Sequence, residues 1–367
     1  MPVHPLKFEP IFKPKIWGGR ALERLLDKRL PPGEAIGESW EVADLESGQS
    51  VVAAGPSRGR TLSQMVAAWG ADLTGRASLA DGRFPLLIKF LDARQPLSIQ
   101  VHPGPRTCAQ RGTSRDLKHE AWYVIEAEPN AVIYRGTRPG VTREQLAAAG
   151  PTRAVVDLLN AAPTKADQCV YCPAGTLHAL GGGLVVAEVQ TPSDVTYRLY
   201  DWERVRPAAD AGMHVAECLE VMEWNEPDPR HTARSHVGGL FTTVTRLARC
   251  DAFAIEKVRF VERMEQDIPY AELVIWIVLD GRGAVLHRGG EATPFSRGDV
   301  VVLPAALSGG RVRTETACVW LEVTIPVASD LAGYDRPSAE ALRAPPATPG
   351  VVPLRVEQRE VRGDRAD

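Results

Sequence analysis

Glycine and proline are the feature that most restricts the fold of this chain. The sequence contains 32 glycines and 29 prolines, about one residue in six, and they fall between short apolar stretches rather than in one linker. Such punctuation is typical of an all-β chain with many turns. It predicts strands at 39–43, 86–91, 97–102, 122–127, 131–134, 169–171, 184–190, 196–200, 241–247, 253–260, 272–278, 283–287, 299–304 and 317–324.

Helical periodicity is confined to four segments. Apolar residues recur at intervals of three and four in 62–69, 143–149, 152–159 and 214–222, and Thr61 and Thr142 are suitable N-caps for two of these helices. The predicted fold class is therefore all-β with inserted helices.

The length predicts two compact units. At about 150 residues per domain, 367 residues correspond to two domains or to one large domain with insertions. Residues 225–240 are polar and rich in residues that interrupt strands and helices, so we place the boundary there. This gives an N-terminal domain at 1–228, a C-terminal β domain at 229–330 and an irregular tail at 331–367.

A weak internal repeat predicts how the two domains are related. Tyr171-Cys172-Pro173-Ala174 ends one β run, and Val302-Leu303-Pro304-Ala305 ends another. Two tandem jelly-roll β-barrels would explain this similarity. The second copy contains His287 without a set of other metal-ligating residues, so we expect it to be structural.

Charge and hydropathy argue against two classes of partner. The 43 Lys and Arg against 46 Asp and Glu give a net charge of −3, which is unlike a polycation built for nucleic acid. The longest apolar run, Leu273 to Leu279, is far shorter than the roughly 18–20 residues of a membrane helix. The N-terminus, MPVHPLKFEP, has no apolar signal-peptide core. We expect the protein to have no nucleic-acid or membrane partner and to be a monomer.

The cysteines point to a reducing compartment. Six of them are scattered unevenly, which is too few for a disulfide scaffold in a chain of this length, so we expect a cytoplasmic protein. Cys169 and Cys172 have the C-x-x-C spacing of some metal and redox sites. No second pair and no βαβ context accompany them, so we interpret them as two strand residues.

Three segments together predict a metal site. Residues two apart on a strand share a face, so Ser98, Gln100 and His102 should point into a barrel while Leu97, Ile99 and Val101 point away. Lys118 and Glu120 share a face in the same way, which puts His119, the rival ligand to Glu120, on the outer face. A Pro-Ala-Gly turn then presents His178. The resulting set suits one borderline divalent ion such as Zn²⁺, and its members are Gln100, His102, Glu120 and His178.

A further charged group follows the last of these segments. Glu188, Asp194 and Arg198 lie at even positions and should point into one cavity, where two carboxylates and a guanidinium suit acid–base chemistry. The alternative is that Asp194 and Arg198 form an internal ion pair.

These motifs resemble a known family. The patterns Q-x-H at 100–102, K-x-E-x-W-Y at 118–123 and P-A-G-T-x-H-A at 173–179 are similar to the cupin metal-binding pattern of type I mannose-6-phosphate isomerases (phosphomannose isomerases). The resemblance extends to segments 14–19, 36–40 and 85–93 and fades beyond about 225. It implies two tandem cupin barrels, the short bacterial form, and the substrate pair mannose 6-phosphate and fructose 6-phosphate. His119 stands where many members have Pro or Thr.

The resemblance also guides the assignment of roles. It implies a catalytic Arg198, which we place on the enediolate or phosphate side, with Glu188 as the leading base and Asp194 as the second choice. Lys118 is expected to help open the sugar ring. Gly181-Gly182-Gly183 is no P-loop because no Lys-Ser/Thr follows it, so side chains must hold the phosphate, and Ser98 and Lys89 are the candidates.

Two other functions remain open at this point. Another metal-dependent cupin enzyme, such as a dioxygenase or a different isomerase, would reuse the His/Glu cluster with iron or manganese. A non-catalytic sugar-phosphate-binding cupin would keep the metal without turnover.

Overall fold

β-Strands make up most of the regular structure. A computed structural model describes residues 2–206, 212–224, 236–239, 241–288 and 292–327. The strands of the first half are β1 (Ile11–Gly19), β2 (Ile36–Val42), β3 (Asp44–Leu45), β4 (Gly48–Gln49), β5 (Leu87–Ala93), β6 (Ile99–Val101), β7 (Glu120–Ala127), β8 (Val132–Thr137), β9 (Leu159–Pro163), β10 (Cys169–Cys172), β11 (His178–Leu180), β12 (Leu184–Gln190) and β13 (Tyr197–Tyr200). Those of the second half are β14 (His236–Gly238), β15 (Thr242–Arg249), β16 (Ala254–Phe260), β17 (Glu265–Asp267), β18 (Val274–Asp280), β19 (Arg282–Leu286), β20 (Thr293–Ser296), β21 (Val300–Leu303), β22 (Arg311–Thr314) and β23 (Cys318–Thr324). Each strand predicted from the sequence is present, with ends that differ by a few residues.

The helices are short insertions between strands. They are α1 (Ala21–Leu26), α2 (Leu62–Trp69), α3 (Ala71–Thr74), α4 (Pro105–Arg111), α5 (Arg143–Ala149) and α6 (Val215–Val221), with a 3-10 helix at Arg153–Leu158. Thr61 and Thr142 are the N-caps of α2 and α5, as the sequence predicts, and they also form capping boxes with Gln64 and Gln145. The predicted helix at 152–159 is instead the 3-10 helix. The chain is thus mostly β with inserted helices.

The strands pair antiparallel into two sheets per half. The first half has a six-stranded sheet in the order β1-β2-β5-β12-β7-β10 and a five-stranded sheet in the order β13-β6-β11-β8-β9. The second half has a six-stranded sheet in the order β14-β15-β16-β23-β18-β21 and a four-stranded sheet in the order β17-β22-β19-β20. Strands β5 to β12 therefore occupy the same relative positions as strands β16 to β23.

The repeated strand order extends to residue register. Glu188 on β12 is the Cα partner of Trp122 on β7, and Glu322 on β23 is the Cα partner of Trp276 on β18. Trp122 Nε1 donates to Glu188 Oε1 at 2.8 Å, and Trp276 Nε1 donates to Glu322 Oε2 at 3.1 Å. The two halves thus carry the same Glu–Trp hydrogen bond at equivalent positions.

The largest apolar cluster lies between the two six-stranded sheets. The first sheet contributes Ile88, Phe90, Ala121, Tyr123, Ala187 and Val189, and the second contributes Ile255, Ile275, Ile277, Val300, Val302, Leu321 and Val323. Separate clusters fill the space between the two sheets of each half. Burial of this apolar area is the main force that holds the layers together.

The chain also crosses between the halves near its start. Leu6 and Val302 exchange two backbone hydrogen bonds, each 2.9 Å long. The strands of the first pair of sheets come from residues before 201, and those of the second pair come from residues after 235. The predicted domain boundary near 228 and the predicted tail at 331–367 lie outside the described residues.

Among the residues that the structure describes, none of the helices is long and apolar enough to cross a membrane.

The second half contains a buried acid whose charge depends on pH. Glu322 accepts hydrogen bonds from Tyr270 Oη at 2.6 Å and from Trp276 Nε1. Burial and, to a smaller extent, the nearby Glu256 carboxylate raise the pKa of Glu322 from its ordinary 4.5 to about 7. The folded state therefore binds the proton more tightly than the unfolded state, and the stability contributed by neutral Glu322 is lost as pH rises from about 4.5 through 7.

Replacing Glu322 with Gln should flatten this pH dependence. Between pH 4.5 and 8 we expect the wild-type free energy of unfolding to fall by about 3 kcal/mol relative to Glu322→Gln, since one pKa unit corresponds to about 1.4 kcal/mol. Urea unfolding across this range measures the difference. Glu315→Gln, which removes an exposed partner of Arg282, is the control. Parallel curves for wild type and Glu322→Gln would show that Glu322 titrates normally.

Candidate metal centre and active-site cavity

A polar cavity of about 320 Å³ lies in the first half of the molecule. The strands that line it belong to both sheets of that half, and most of the lining residues are charged. They are Lys15, Trp17, Glu38, Lys89, Leu91, Leu97, Ser98, Gln100, Lys118, Glu120, Glu188, Asp194, Thr196, Arg198 and Arg206. A buried space with so many charges is costly unless they are paired or serve a ligand.

Three predicted ligands meet beside this cavity, and Glu120 is the member of the group that lines it. His102 directly follows β6, Glu120 begins β7 and His178 begins β11, and all three side chains are buried. Glu120 Oε1 lies 3.2 Å from His102 Nε2, and Glu120 Oε2 lies 3.3 Å from His178 Nε2. One ligand atom from each residue falls within 4.8 Å of the other two. The group has the size of a metal site.

Backbone carbonyls orient both imidazole rings. His102 Nδ1 lies 2.8 Å from the carbonyl oxygen of Val195, and His178 Nδ1 lies 2.8 Å from that of Thr176. A carbonyl oxygen only accepts, so each Nδ1 carries a hydrogen and Nε2 is the ring atom left to bind a cation. Such a hydrogen bond behind the ring is the usual support of a metal-ligating histidine.

The ligand atoms lack hydrogen-bond partners of their own. Within the described chain, His102 Nε2, His178 Nε2 and Glu120 Oε2 are buried without a hydrogen bond of standard geometry. Buried polar atoms in proteins almost always find a partner. Lone pairs that face one another at about 3 Å need a positive centre between them, so a divalent cation fits the group.

The protonation states agree with this interpretation. Burial, aided by the Lys118 ammonium, lowers the pKa of His102 to about 3, so its imidazole is neutral. Burial opposes the charge of Glu120, but Lys118 and His102 outweigh it and hold the pKa of this carboxyl well below its usual range. Burial opposes a charge on His178, but Cys172 and Glu120 outweigh it and raise the pKa of this imidazole well above its usual range, so without a cation a proton on Nε2 takes the place that the cation would occupy.

Gln100 lies beside this group on the five-stranded sheet. It is the Cα partner of His178 on one side and of Arg198 on the other, and it lines the cavity. Its Oε1 accepts a hydrogen bond from Ser98 Oγ at 3.1 Å. The inward direction predicted for Ser98 and Gln100 is found.

One predicted side-chain direction is wrong. Leu97 was expected to point away from the cavity together with Ile99 and Val101. Those two pack in the core cluster on the outer side of the five-stranded sheet, but Leu97 lines the cavity. The reason is that β6 begins only at Ile99, so strand alternation does not extend to Leu97.

Lys89 and Glu188 form a buried ion pair on β5 and β12, two neighbouring strands of the six-stranded sheet that also carries Glu120. Lys89 Nζ lies 3.2 Å from Glu188 Oε2, and Trp122 donates to the other carboxylate oxygen. Burial raises the pKa of Glu188, and the charge of Glu120 adds to the increase, while Lys89 and Lys118 oppose it. The result is a carboxylate of raised basicity beside the metal group.

Lys118 and the segment after β12 complete the set of predicted residues. Lys118 Nζ lies 2.9 Å from Glu120 Oε1. Asp194 and Arg198 both line the cavity. The backbone of Arg198 on β13 accepts from His214 N at 2.7 Å and donates to His214 Nδ1 at 3.2 Å, which ties this edge strand to the start of α6.

His119 and the cysteine pair have the structural positions expected of them. His119 Nδ1 accepts hydrogen bonds from Tyr171 Oη at 2.8 Å and from Ala174 N at 3.2 Å, so it is not part of the buried group. Cys169 and Cys172 are the first and last residues of strand β10. The side chain of Cys172, which is the Cα partner of Glu120, nevertheless interacts with that of His178 across the two sheets.

Seven lining residues were not predicted as site residues, and four of these are charged or aromatic. Lys15 and Trp17 lie on β1, Glu38 lies on β2, and Arg206 follows β13. Segments 14–19 and 36–40 carried part of the family resemblance, which is the signal that could have identified Lys15, Trp17 and Glu38, whereas no pattern marked Arg206. Lys15 Nζ contacts Glu38 Oε1 at 3.0 Å.

Comparisons with known proteins agree on one family. Residues 6–130 match the family model described as phosphomannose isomerase type I, catalytic domain. The chain is 33% identical over 323 residues to mannose-6-phosphate isomerase ManA of Bacillus subtilis (strain 168), an alignment that covers 87% of this chain and 99% of that protein. The crystal structure of the mannose 6-phosphate isomerase from Bacillus subtilis superposes with a TM-score of 0.77 at 28% identity, covering 88% of this chain and 99% of the other. A structure of mannose 6-phosphate isomerase bound with zinc and yttrium shares the fold with a TM-score of 0.68 at 16% identity, over 88% of this chain and 100% of the other.

Proposed function

The chain belongs to the type I phosphomannose isomerase family, and we infer from this membership that it is a metal-dependent mannose-6-phosphate isomerase. The enzyme interconverts mannose 6-phosphate and fructose 6-phosphate. The observation that carries this conclusion is the buried group of His102, Glu120 and His178, whose unpartnered ligand atoms lie beside a charged cavity.

Zinc is the metal that we assign to this group. Two neutral imidazoles and one carboxylate are a common Zn²⁺ ligand set that keeps a position open for substrate. The zinc in the related isomerase structure supports this choice. We propose Gln100, the Cα neighbour of His178, as the fourth protein ligand. When bound, the ion supplies positive charge that polarises the oxygens of the reacting sugar carbons.

Glu188 is our candidate for the base. Isomerisation removes a proton from C2 of the open-chain aldose, passes through an enediolate and returns a proton to C1. Glu188 is suited to carry this proton because Trp122 and Lys89 fix its carboxylate at the cavity and burial raises its pKa. Asp194 lines the same cavity and is the second candidate.

Two cations are assigned to the charge that develops on the substrate. Arg198 lies one strand from Gln100 and lines the cavity, so its guanidinium can stabilise the enediolate or contact the phosphate. Lys118 lies beside Glu120 and can donate to the ring oxygen as the sugar opens.

Ser98 and Lys89 are proposed to bind the substrate. Ser98 presents its hydroxyl beside Gln100, and Lys89 presents its ammonium beside Glu188. Because Glu188 already balances the charge of Lys89, we expect Lys89 to contact sugar oxygens as well as the phosphate that was first assigned to it.

The architecture that we propose is two tandem cupin barrels. The support is the repeated order of strands β5–β12 and β16–β23 and the Glu–Trp hydrogen bond repeated at one register. On this basis the catalytic barrel belongs to residues 1–228 and the second barrel to residues 229–330.

We further propose a cytoplasmic monomer whose partner is a small sugar phosphate rather than nucleic acid or membrane. The six cysteines, all free, support the reducing compartment.

The test is a coupled assay for conversion of mannose 6-phosphate, with and without a strong chelator. We expect turnover by the zinc-loaded protein, loss of at least about a hundredfold after chelation, and recovery when zinc is restored. Mannose without phosphate is the control substrate. Zinc binding without turnover would favour a sugar-phosphate-binding cupin, and activity only with iron and oxygen would favour a cupin dioxygenase.

A further inference from the structure

Four side chains of alternating charge cross one wall of the cavity. Lys15, Glu38, Lys89 and Glu188 lie on β1, β2, β5 and β12, which are neighbours in the six-stranded sheet. The nitrogen–oxygen distances along the row are 3.0 Å from Lys15 to Glu38, 3.8 Å from Glu38 to Lys89 and 3.2 Å from Lys89 to Glu188. Only Lys15, at the sheet edge, is substantially exposed.

Both carboxylates in the row are fixed by an indole. Trp40 Nε1 donates to Glu38 Oε2 at 2.6 Å, as Trp122 donates to Glu188. Trp40, Lys89, Glu188 and Trp122 are successive Cα partners across the sheet. The Lys89 ammonium is therefore held between two oriented anions and divides its charge between them.

The charge of Glu38 is permanent at working pH. Burial would raise its pKa, but Lys89 and Lys15 outweigh burial and lower the pKa to about 2. Lys89 thus faces two anionic partners throughout the pH range in which an isomerase operates.

We propose that Glu38 is a positioning residue that acts through Lys89 to keep Glu188 an effective base. This inference rests on the proposed function, in which Glu188 carries the proton. Glu38 draws part of the charge of Lys89 away from Glu188. Without Glu38, Lys89 has a single close carboxylate partner, the anionic form of Glu188 is stabilised, and its affinity for the substrate proton falls.

The other charged groups at Glu188 do not cancel this effect. Glu120 acts on Glu188 from the start of β7, and Lys118 acts on it from two residues before that strand. Asp194 and Arg198 line the cavity from the segment after β12. None of them is an ion-pair partner of Glu38, whose cationic partners are Lys15 and Lys89. Removal of Glu38 also leaves Lys15 without this carboxylate, which adds positive charge to the wall and acts in the same direction.

The test compares Glu38→Gln with a matched variant on the same strand. Glu41 is also buried on β2 and forms an ion pair with Lys28 at 2.7 Å, but it does not line the cavity. Glu41→Gln therefore makes the same chemical change and breaks a buried ion pair away from the site. Both variants, wild type and Glu38→Asp are loaded with zinc, and their metal content and melting temperature are measured before kinetics.

For Glu38→Gln we expect kcat for mannose 6-phosphate to fall about tenfold, while KM changes less than about threefold. The acid limb of the plot of kcat against pH should move about one pH unit lower. Glu38→Asp should recover part of both effects. Glu41→Gln should keep the wild-type profile even if its melting temperature falls. The phosphate titration of the substrate is common to all variants, so only the difference from wild type counts.

An acid limb that stays in place or moves to higher pH in Glu38→Gln overturns the inference, as does a change confined to KM. An equal shift in Glu41→Gln does so as well, because it would mark a general loss of stability. If wild type itself does not turn over mannose 6-phosphate, the proposed function fails instead. If Glu38→Gln does not fold, the shift in Glu38→Asp decides, and an unshifted profile there is contrary to the proposal.

Discussion

His178→Ala loses both the bound metal and the isomerase activity. His178 supplies one of three buried ligand atoms, and alanine leaves Glu120 and His102 without the third. We expect less than about a tenth of an equivalent of zinc after dialysis and turnover reduced by at least about a hundredfold, as after chelation, because the bound ion would supply positive charge to the developing oxyanion.

Elemental analysis and the coupled assay on the same preparation measure the two quantities. His236→Ala is the control, since His236 lies exposed on β14 in the other half. A His178→Ala protein that retains one equivalent of zinc would remove His178 from the ligand set, whatever its activity.

Arg198→Ala separates chemistry from metal binding. The guanidinium lines the cavity, but it is not a metal ligand, so the zinc content should stay at the wild-type level. Turnover should fall by roughly a hundredfold or more, because a fixed charge aimed at a developing oxyanion contributes that much in comparable sites.

Arg198→Lys keeps a positive charge without the planar guanidinium and should recover part of the loss. Arg282→Ala, at an exposed ion pair in the second half, controls for removal of an arginine. If Arg198→Ala loses as much zinc as His178→Ala, the division between ligand and catalytic residue is wrong.

Local patterns in the sequence were enough to locate most strands and the direction of many side chains. Strand β12 has the predicted ends, 184 and 190, and Glu188 faces the cavity because alternation along a regular strand is reliable. Where a strand was shorter than its apolar pattern, alternation failed, as at Leu97.

Elements without a clear pattern were missed. Strand β1 contains Pro14 and Gly18, which argue against a central strand, but β1 is an edge strand and tolerates them. A Cβ on Gly18 would lie 2.4 Å from the backbone nitrogen of Gly37, so the close approach of β1 and β2 requires glycine. Helix α4 starts at Pro105 and has no apolar periodicity, so no local pattern predicted it.

The charge balance of the site depends on contacts between distant segments. Nothing local shows that Lys89 has Glu38 and Glu188 as partners, because the three residues meet only when β2, β5 and β12 align. The same is true of the carbonyl groups of Val195 and Thr176 that orient the histidines. Sequence patterns identified the charged residues and the histidines of the site, whereas the contacts between them could be found only in the tertiary structure.

The face-to-face contact of the two six-stranded sheets limits how the enzyme can be shortened. A fragment ending near residue 228 would keep the metal group and the cavity but would leave the outer face of its sheet, with Ile88, Phe90 and Val189, in water. An exposed apolar face of this kind favours association. The second half therefore keeps the first half soluble by covering this apolar face. A shortened catalyst made of the first half alone would need polar residues on that face.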